Sequence, residues 1–405
     1  MNSVPWRQSR GAARLARLFG VLVILVGAAG GFPARGAENA LTPEELAEGW
    51  ILLFDGQTLF GWQPAGKADW KASDGVISAS QGERCLLVTT SQFANFALKA
   101  DFRADAEANS GVFLRTPPSP TPAEVETTCY ELNIAPPVHP FPTGSLAGRK
   151  RAEGVVPKSG WRTFEVTLEG ARAQVRLDGR EVLEYTDPRP AARGHVGLQF
   201  NQGKIEFRNV KLKPLGMKGL LNGKDLAGWK IHAENKSQWS VTPEGWLHVR
   251  NGGGQLESEG LFGDFTLQLD VFVNGKGLNS GVFFRSIPGQ WWNGYESQIH
   301  NGYKDGDRTK PVDCGTGGIF RRQNARRVVA NDGEWLTKTI HADGKHMAVW
   351  VNGFQVSDWT DTRKPHENPR QGQRVAPGTI ILQGHDPTTD LRFRNLRIAE
   401  LPPSG

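Results

Sequence analysis

The chain states one pattern twice. Asn109-Ser110-Gly111-Val112-Phe113-Leu114-Arg115 returns 170 residues later as Asn279-Ser280-Gly281-Val282-Phe283-Phe284-Arg285. Leu53-Phe54-Asp55-Gly56 with Gly61-Trp62 answers Leu220-Leu221-Asn222-Gly223 with Gly228-Trp229. Tyr130-Glu131-Leu132-Asn133-Ile134 answers Tyr295-Glu296-Ser297-Gln298-Ile299, and Phe207-Arg208-Asn209-Val210 answers Phe393-Arg394-Asn395-Leu396. Landmarks kept in one order mean a tandem duplication, with units too long for a solenoid repeat. Each unit is long enough to bury a core of its own. Core residues should persist in both copies, whereas chemistry can persist in one, so the differences between copies carry the functional signal.

Residues 1–36 belong to neither unit. Arg7, Arg10, Arg14 and Arg17 precede an apolar run from Leu18 to Ala29, and Ala34-Arg35-Gly36 offers small residues for cleavage. This reads as a secretory signal peptide. The run has 12 residues, short of the ~20 that a membrane span requires. The expectation is therefore a periplasmic or secreted protein with no membrane span after cleavage. Without the leader's five Arg the formal charge falls from +6 to +1, with 43 basic against 42 acidic residues. The high isoelectric point belongs mostly to the leader, so nucleic acid is not an expected partner. Of the three cysteines, Cys85 and Cys129 lie in the first unit and could bridge, although their spacing does not require it.

Thr42-Pro43-Glu44-Glu45 has the residues of a helix start: a cap, Pro in the first turn, then acids. After this short helix the chain reads as strands. Phe96 to Phe102, Thr163 to Leu168, Phe265 to Val271 and Met347 to Val351 alternate apolar and polar residues, separated by Asp74-Gly75, Asp178-Gly179, Asp343-Gly344 and Asn352-Gly353 turns. The predicted fold is all-β: two tandem β-sandwiches, spanning 44–214 and 218–401. The link Lys213 to Lys218 is so short that the two should touch.

Period-two alternation sets Gly281, Phe283 and Arg285 on one face of their strand, opposite Val282 and Phe284. One face must be core, so Arg285 is either a solvated rim residue or a clamp for an oxyanion. Glu296, Gln298 and His300 follow at i, i+2 and i+4 and share a face; a carboxylate, an amide and an imidazole in a row suit acid/base chemistry or ligation of a divalent metal. The matching positions of the first unit are Glu131, Asn133 and Ala135. Leu382-Gln383-Gly384-His385-Asp386 likewise matches Leu198-Gln199-Phe200-Asn201-Gln202. Each imidazole alone is more often structural, but loss of both from one copy points to activity in the second unit. Trp291 and Trp292 precede the Glu296 strand and offer ring faces to a sugar; the first unit's Pro117–Thr128 segment has no aromatic.

Together these motifs, with Thr316-Gly317-Gly318-Ile319, resemble the 3-keto-disaccharide hydrolase domain family over nearly the whole chain beyond the leader. The resemblance implies a concanavalin A-like jelly roll in each unit. It also implies cleavage of a glycoside carrying a ketone at C3. That ketone acidifies the C2 hydrogen, a base removes it, the glycosidic oxygen leaves by β-elimination, and water adds to the enone. Glu296 and His385 are then the candidate base and acid, in either order. Arg285, His300 or a divalent metal ion would hold the enolate oxygen. Gln298, Trp291, Trp292, Asn279, Gln383 and Asp386 would contact the sugar. The first unit departs from the motifs at Asn133, Asn201 and Thr143-Gly144-Ser145-Leu146. The rival reading is a carbohydrate-binding module without chemistry. Ordinary glycoside hydrolysis ranks last, because Glu296 has no evident acidic partner except Asp386.

Overall fold

A computed structural model describes residues 38–403; the expected leader, 1–36, lies outside them. The described chain is all-β apart from two six-residue helices. Four antiparallel sheets form two β-sandwiches. Each sandwich pairs an eight-stranded sheet with a five-stranded one, and the strand orders of the two copies correspond. In the second unit the five-stranded sheet runs Trp229–Ile231, Gly254–Ser258, Thr379–Gly384, Ser280–Ser286, Tyr295–Ile299. In the first it runs Trp62–Ala65, Cys85–Phe93, Gly194–Phe200, Ser110–Thr116, Tyr130–Ile134.

Alternation decides which residues fill the core. Phe265, Leu267, Leu269, Val271 and Val273 are all buried in the second unit's core, with Val282, Phe284, Leu256 and Leu382 of the facing sheet. The intervening Phe283 and Ile381 are also buried, but outside that core, so the outer face of the five-stranded sheet is covered as well.

The two sandwiches meet through side chains and backbone. Trp350 of the second unit is counted among the core residues of the first, and its indole N–H donates to the Leu52 carbonyl at 2.9 Å. The Leu52 amide donates to the Gly353 carbonyl at 2.8 Å. Arg193 of the first unit bridges Asp264 and Asp343 of the second at 2.9 and 3.2 Å.

Helix Pro43–Glu48 carries the expected cap: the Glu45 amide donates to the Thr42 hydroxyl and the Thr42 amide to the Glu45 carboxylate. The other helix, Pro122–Thr127, lies in the Pro117–Thr128 segment, for which the sequence suggested no helix. Its start, Thr121-Pro122-Ala123-Glu124, repeats the same capping box. All three cysteines are buried and unpaired, so Cys85 and Cys129 form no bridge.

Candidate functional site

Pairing in the second unit's five-stranded sheet arranges the outward side chains in rows. Glu296 pairs with Phe283, Phe283 with Ile381, and Ile381 with Glu257. One pleat along, Gln298 pairs with Gly281, and Gln383 with Gln255. The glycine in the heptapeptide has a steric reason. A Cβ on Gly281 would come within 2.6 Å of Glu296 Oε1, so the carboxylate lies over that bare backbone. Gly111 bears the same relation to Glu131 in the first unit.

Glu296 is only 6% exposed, and its Oε2 accepts from Arg370 Nη2 at 3.0 Å. Burial pushes its pKa up, and the neighbouring Arg370 and Lys338 pull it back. Gln298 donates to the Asp313 carboxylate at 2.9 Å, and Asn279 donates to the same Asp313 oxygen at 2.6 Å. Asp313 therefore fixes two of the expected sugar contacts. Gln383 is buried on the same face, and its Oε1 has no donor among the described residues.

His385 Nδ1 lies 2.8 Å from the Asp386 carboxylate. A carboxylate on Nδ1 holds that nitrogen as the donor and leaves Nε2 free for proton transfer. The strand lattice sets the Cα atoms of Glu296 and His385 roughly 16 Å apart, two strands across and about four residues along. No hydrogen bond joins them among the described residues. The link is Trp292, whose ring stacks on His385 at 5.6 Å and whose carbonyl accepts from Arg370 Nη2 at 3.1 Å.

Arg285 stands elsewhere, and His300 lies at the end of the site strand. Arg285 is fully buried, and its guanidinium donates to the carbonyls of Gly263, Gly344 and Arg374 and to Asp264. The alternation that aimed it at the site ends one residue too early. Arg285 has φ of 49° and sits where the strand register shifts, so a β-bulge turns the side chain into a structural tie. Arg115 does the same in the first unit at φ 50°, donating to Ala94, Gly170 and Ala191 carbonyls, so its presence in both copies reflects folding rather than ligand binding. His300 falls just beyond its strand, roughly 13 Å along the chain from Glu296, with Nδ1 accepting from the Gly302 amide. Among the described residues no three His, Cys, Asp or Glu side chains gather to hold a metal ion. The expected divalent ion therefore finds no such donor set.

Trp291 and Trp292 stack on each other at 5.1 Å, and the rest of their contacts separate their roles. Trp292 is fixed: its amide donates to Gln255 Oε1, its indole to the Gly254 carbonyl, and two rings stack against it. Among the described residues the Trp291 side chain makes ring contacts with Trp292 and His232 and no hydrogen bond. Trp291→Ala should weaken sugar binding by roughly 1–2 kcal/mol with little change in thermal midpoint. Trp292→Ala should lower both; an unchanged midpoint would show that Trp292 does not support the site.

Four features escaped the reading of the sequence. Gln255 and Glu257 hold the tryptophan loop, Glu257 accepting from the Gly289 amide and the Thr379 hydroxyl. Their first-unit counterparts by register are Leu86 and Val88, which instead pack with Val125 of helix Pro122–Thr127. Helix Pro122–Thr127 thus adds an apolar patch to the face that the second unit keeps polar, beside a pocket lined by Arg84, Leu86, Phe113, Val125 and Gln199. The signal was available in the copied strands, where a Gln-x-Glu becomes Leu-x-Val. Arg370 lies in a segment with no counterpart: sixteen residues separate Asp361 from Gly378, against six between Asp187 and Gly194.

The last is Lys338, fully buried between the sheets, which donates to the carbonyls of Ser297 and Gln298 directly beneath the site strand. Register gives it Phe164 as counterpart. Burial lowers its pKa from 10.5 to about 7. Between those values the unfolded chain holds a proton that the fold has released, so stability rises with pH, by up to about 1.4 kcal/mol per unit; below pH 7 both states are charged and the cost of burial is full. Lys338→Met should flatten that rise. Urea midpoints at pH 7 and 9 test it, and an equal shift at both would remove the basis for it.

The chain belongs to the family of 3-keto-alpha-glucoside-1,2-lyase-like domains, which it matches twice, over residues 49–213 and 216–399. It is similar to a 3-keto-disaccharide hydrolase of Bacteroides thetaiotaomicron, 33% identical over 79 residues, covering 16% of this chain. The match spans 27% of that relative's length, about a quarter. Among solved structures it is similar to a proposed glycosyl hydrolase of Parabacteroides distasonis at 25% identity and TM-score 0.38, over 44% of this chain and 99% of that one. It is also similar to a carbohydrate-binding module of Bacillus subtilis at 17% identity and TM-score 0.31, over 38% and 96%. The two family domains together span most of the chain beyond the expected leader. No helix among the described residues is long and apolar enough to cross a membrane.

Proposed function

We propose that the second unit cleaves the glycosidic bond of 3-keto-glycosides, by proton abstraction at C2, β-elimination and hydration, in a protein exported by its leader. The observation that carries this reading is Glu296: a carboxylate lifted in pKa by burial, with one oxygen on Arg370 and the other over Gly281. A general base needs a raised pKa and a free oxygen. Glu296 takes the C2 proton. His385, oriented by Asp386, gives a proton to the departing glycosidic oxygen. Gln383, Gln298, Asn279 and Trp291 hold the sugar. A simple binding module would have no use for a buried carboxylate and an imidazole–carboxylate pair on the same sheet face.

The test is to incubate the protein with a 3-keto-disaccharide and with its unoxidised parent. Cleavage of the keto-sugar alone supports the proposal. Binding without cleavage assigns a lectin-like module, and cleavage of both assigns ordinary glycoside hydrolysis.

A further inference from the structure

We propose that Arg370 is a catalytic residue of the second unit, its unspent guanidinium donors holding the oxyanion that forms on the substrate as Glu296 takes the proton. The proposal rests on the keto-glycoside reading above. Three observations carry it. The guanidinium lies over the rings of Phe283 and Phe320, at 5.1 and 5.5 Å from their centroids, so its plane is fixed by packing. Nη2 is spent on the Glu296 carboxylate and the Trp292 carbonyl, while Nε and Nη1 have no partner among the described residues. The side chain is 31% exposed, buried enough to be held and open enough to be reached.

The chemistry requires this adjacency. In a 3-keto-sugar the acidic hydrogen on C2 and the ketone oxygen on C3 sit on neighbouring carbons. A base and an oxyanion donor serving both must themselves be neighbours, and Glu296 and Arg370 are 3.0 Å apart. As Glu296 Oε1 takes the proton, the C2–H electron pair becomes the C2=C3 bond and the carbonyl pair moves onto the C3 oxygen, opposite Arg370. When that pair returns to re-form C3=O, the C2=C3 pair becomes C1=C2 and the C1–O bond breaks, its electrons leaving with the glycosidic oxygen, which takes a proton from His385. Preorganised donors count most where charge develops in a partly dry site.

The first unit supports the assignment by what it lacks. Its loop is ten residues shorter, and Phe320 becomes Ala147, the residue whose amide makes the matching bond to the Glu131 carbonyl. The ring seat and the loop arginine are absent together, although Glu131 remains and Arg84 lies near it.

The test uses the full chain and a 3-keto-disaccharide. Arg370→Met should lower kcat by about 10²–10³-fold with KM little changed, and should slow exchange of the C2 hydrogen with deuterated solvent in step. Added guanidinium should restore part of the activity of Arg370→Ala. An unchanged kcat, or a rise in KM alone, would overturn the proposal, because the guanidinium would then bind ground state and transition state alike. Loss of kcat without loss of C2 exchange would overturn it too. Should Arg370→Met fail to fold, Arg370→Lys keeps the charge beside Glu296, and a kcat equal to wild type would count against a fixed planar donor. No turnover by the wild type would sink the underlying reading, an outcome separate from failure of the variants.

Discussion

Glu296→Gln is expected to lower turnover of a 3-keto-disaccharide by about 10²–10⁴-fold, the usual cost of losing a general base. The substitution keeps shape and removes the proton acceptor. The fold should tolerate it, since burial already disfavours the ionised carboxylate and the amide oxygen can still accept from Arg370. Because burial raises the Glu296 pKa, the base form appears only above the usual carboxylate range. The acid limb of kcat/KM should therefore lie above pH 4.5, rising with pH as Glu296 ionises, and should vanish from the residual activity of Glu296→Gln. Glu131→Gln is the matched control. It too is a buried carboxylate raised by desolvation, but it lies beside an apolar face packed against Val125 and lacks an Arg370. That variant should retain full turnover. Equal losses from the two substitutions would remove the asymmetry between the units.

Much of this arrangement was legible in the sequence because β-structure writes its faces with period two. The strands, the two sandwiches and the shared face of Glu296 and Gln298 follow from alternation and duplication. Where alternation broke, reading failed. Arg285 looked outward by count, but a bulge at that residue spends its donors on carbonyls. His300 kept the count yet fell one residue past the end of the strand. Arg370 had no pattern to betray it, since it sits in an irregular segment present in one copy only, and its partner is 74 residues away. Helix Pro122–Thr127 is different. Its Thr-Pro-x-Glu start was the same signal already recognised at Thr42, and the proline- and threonine-rich surroundings hid it. Lys338 was invisible for a further reason. A lysine at a core-facing strand position reads as an error of pattern until its acceptors, two backbone carbonyls on the facing sheet, are seen.

Trp350→Ala is expected to destabilise the whole protein by about 3–5 kcal/mol, the range for removing a large buried aromatic. The sequence invites an experiment in which residues 218–405 are expressed alone to isolate the active unit. The seam between the sandwiches argues against reading that experiment simply. Trp350 is 1% exposed, packs with the first unit's core and donates to its Leu52 carbonyl. Gln268 donates to the Gly49 carbonyl, and Arg326 pairs with Asp55 at 2.8 Å across the same seam. Cutting the chain at the link would expose this surface and leave those polar groups without partners, so loss of activity in the isolated half would report folding rather than chemistry. The first unit is thus expected to stabilise the second by covering this seam. Urea unfolding of the full chain gives the check. Trp350→Ala should lower the midpoint, and two separated transitions should appear if the seam is what couples the units. A single transition with an unchanged midpoint would mean that Trp350 does not hold the seam, whereas two transitions in the wild type would make the isolated second unit a fair test of where turnover resides.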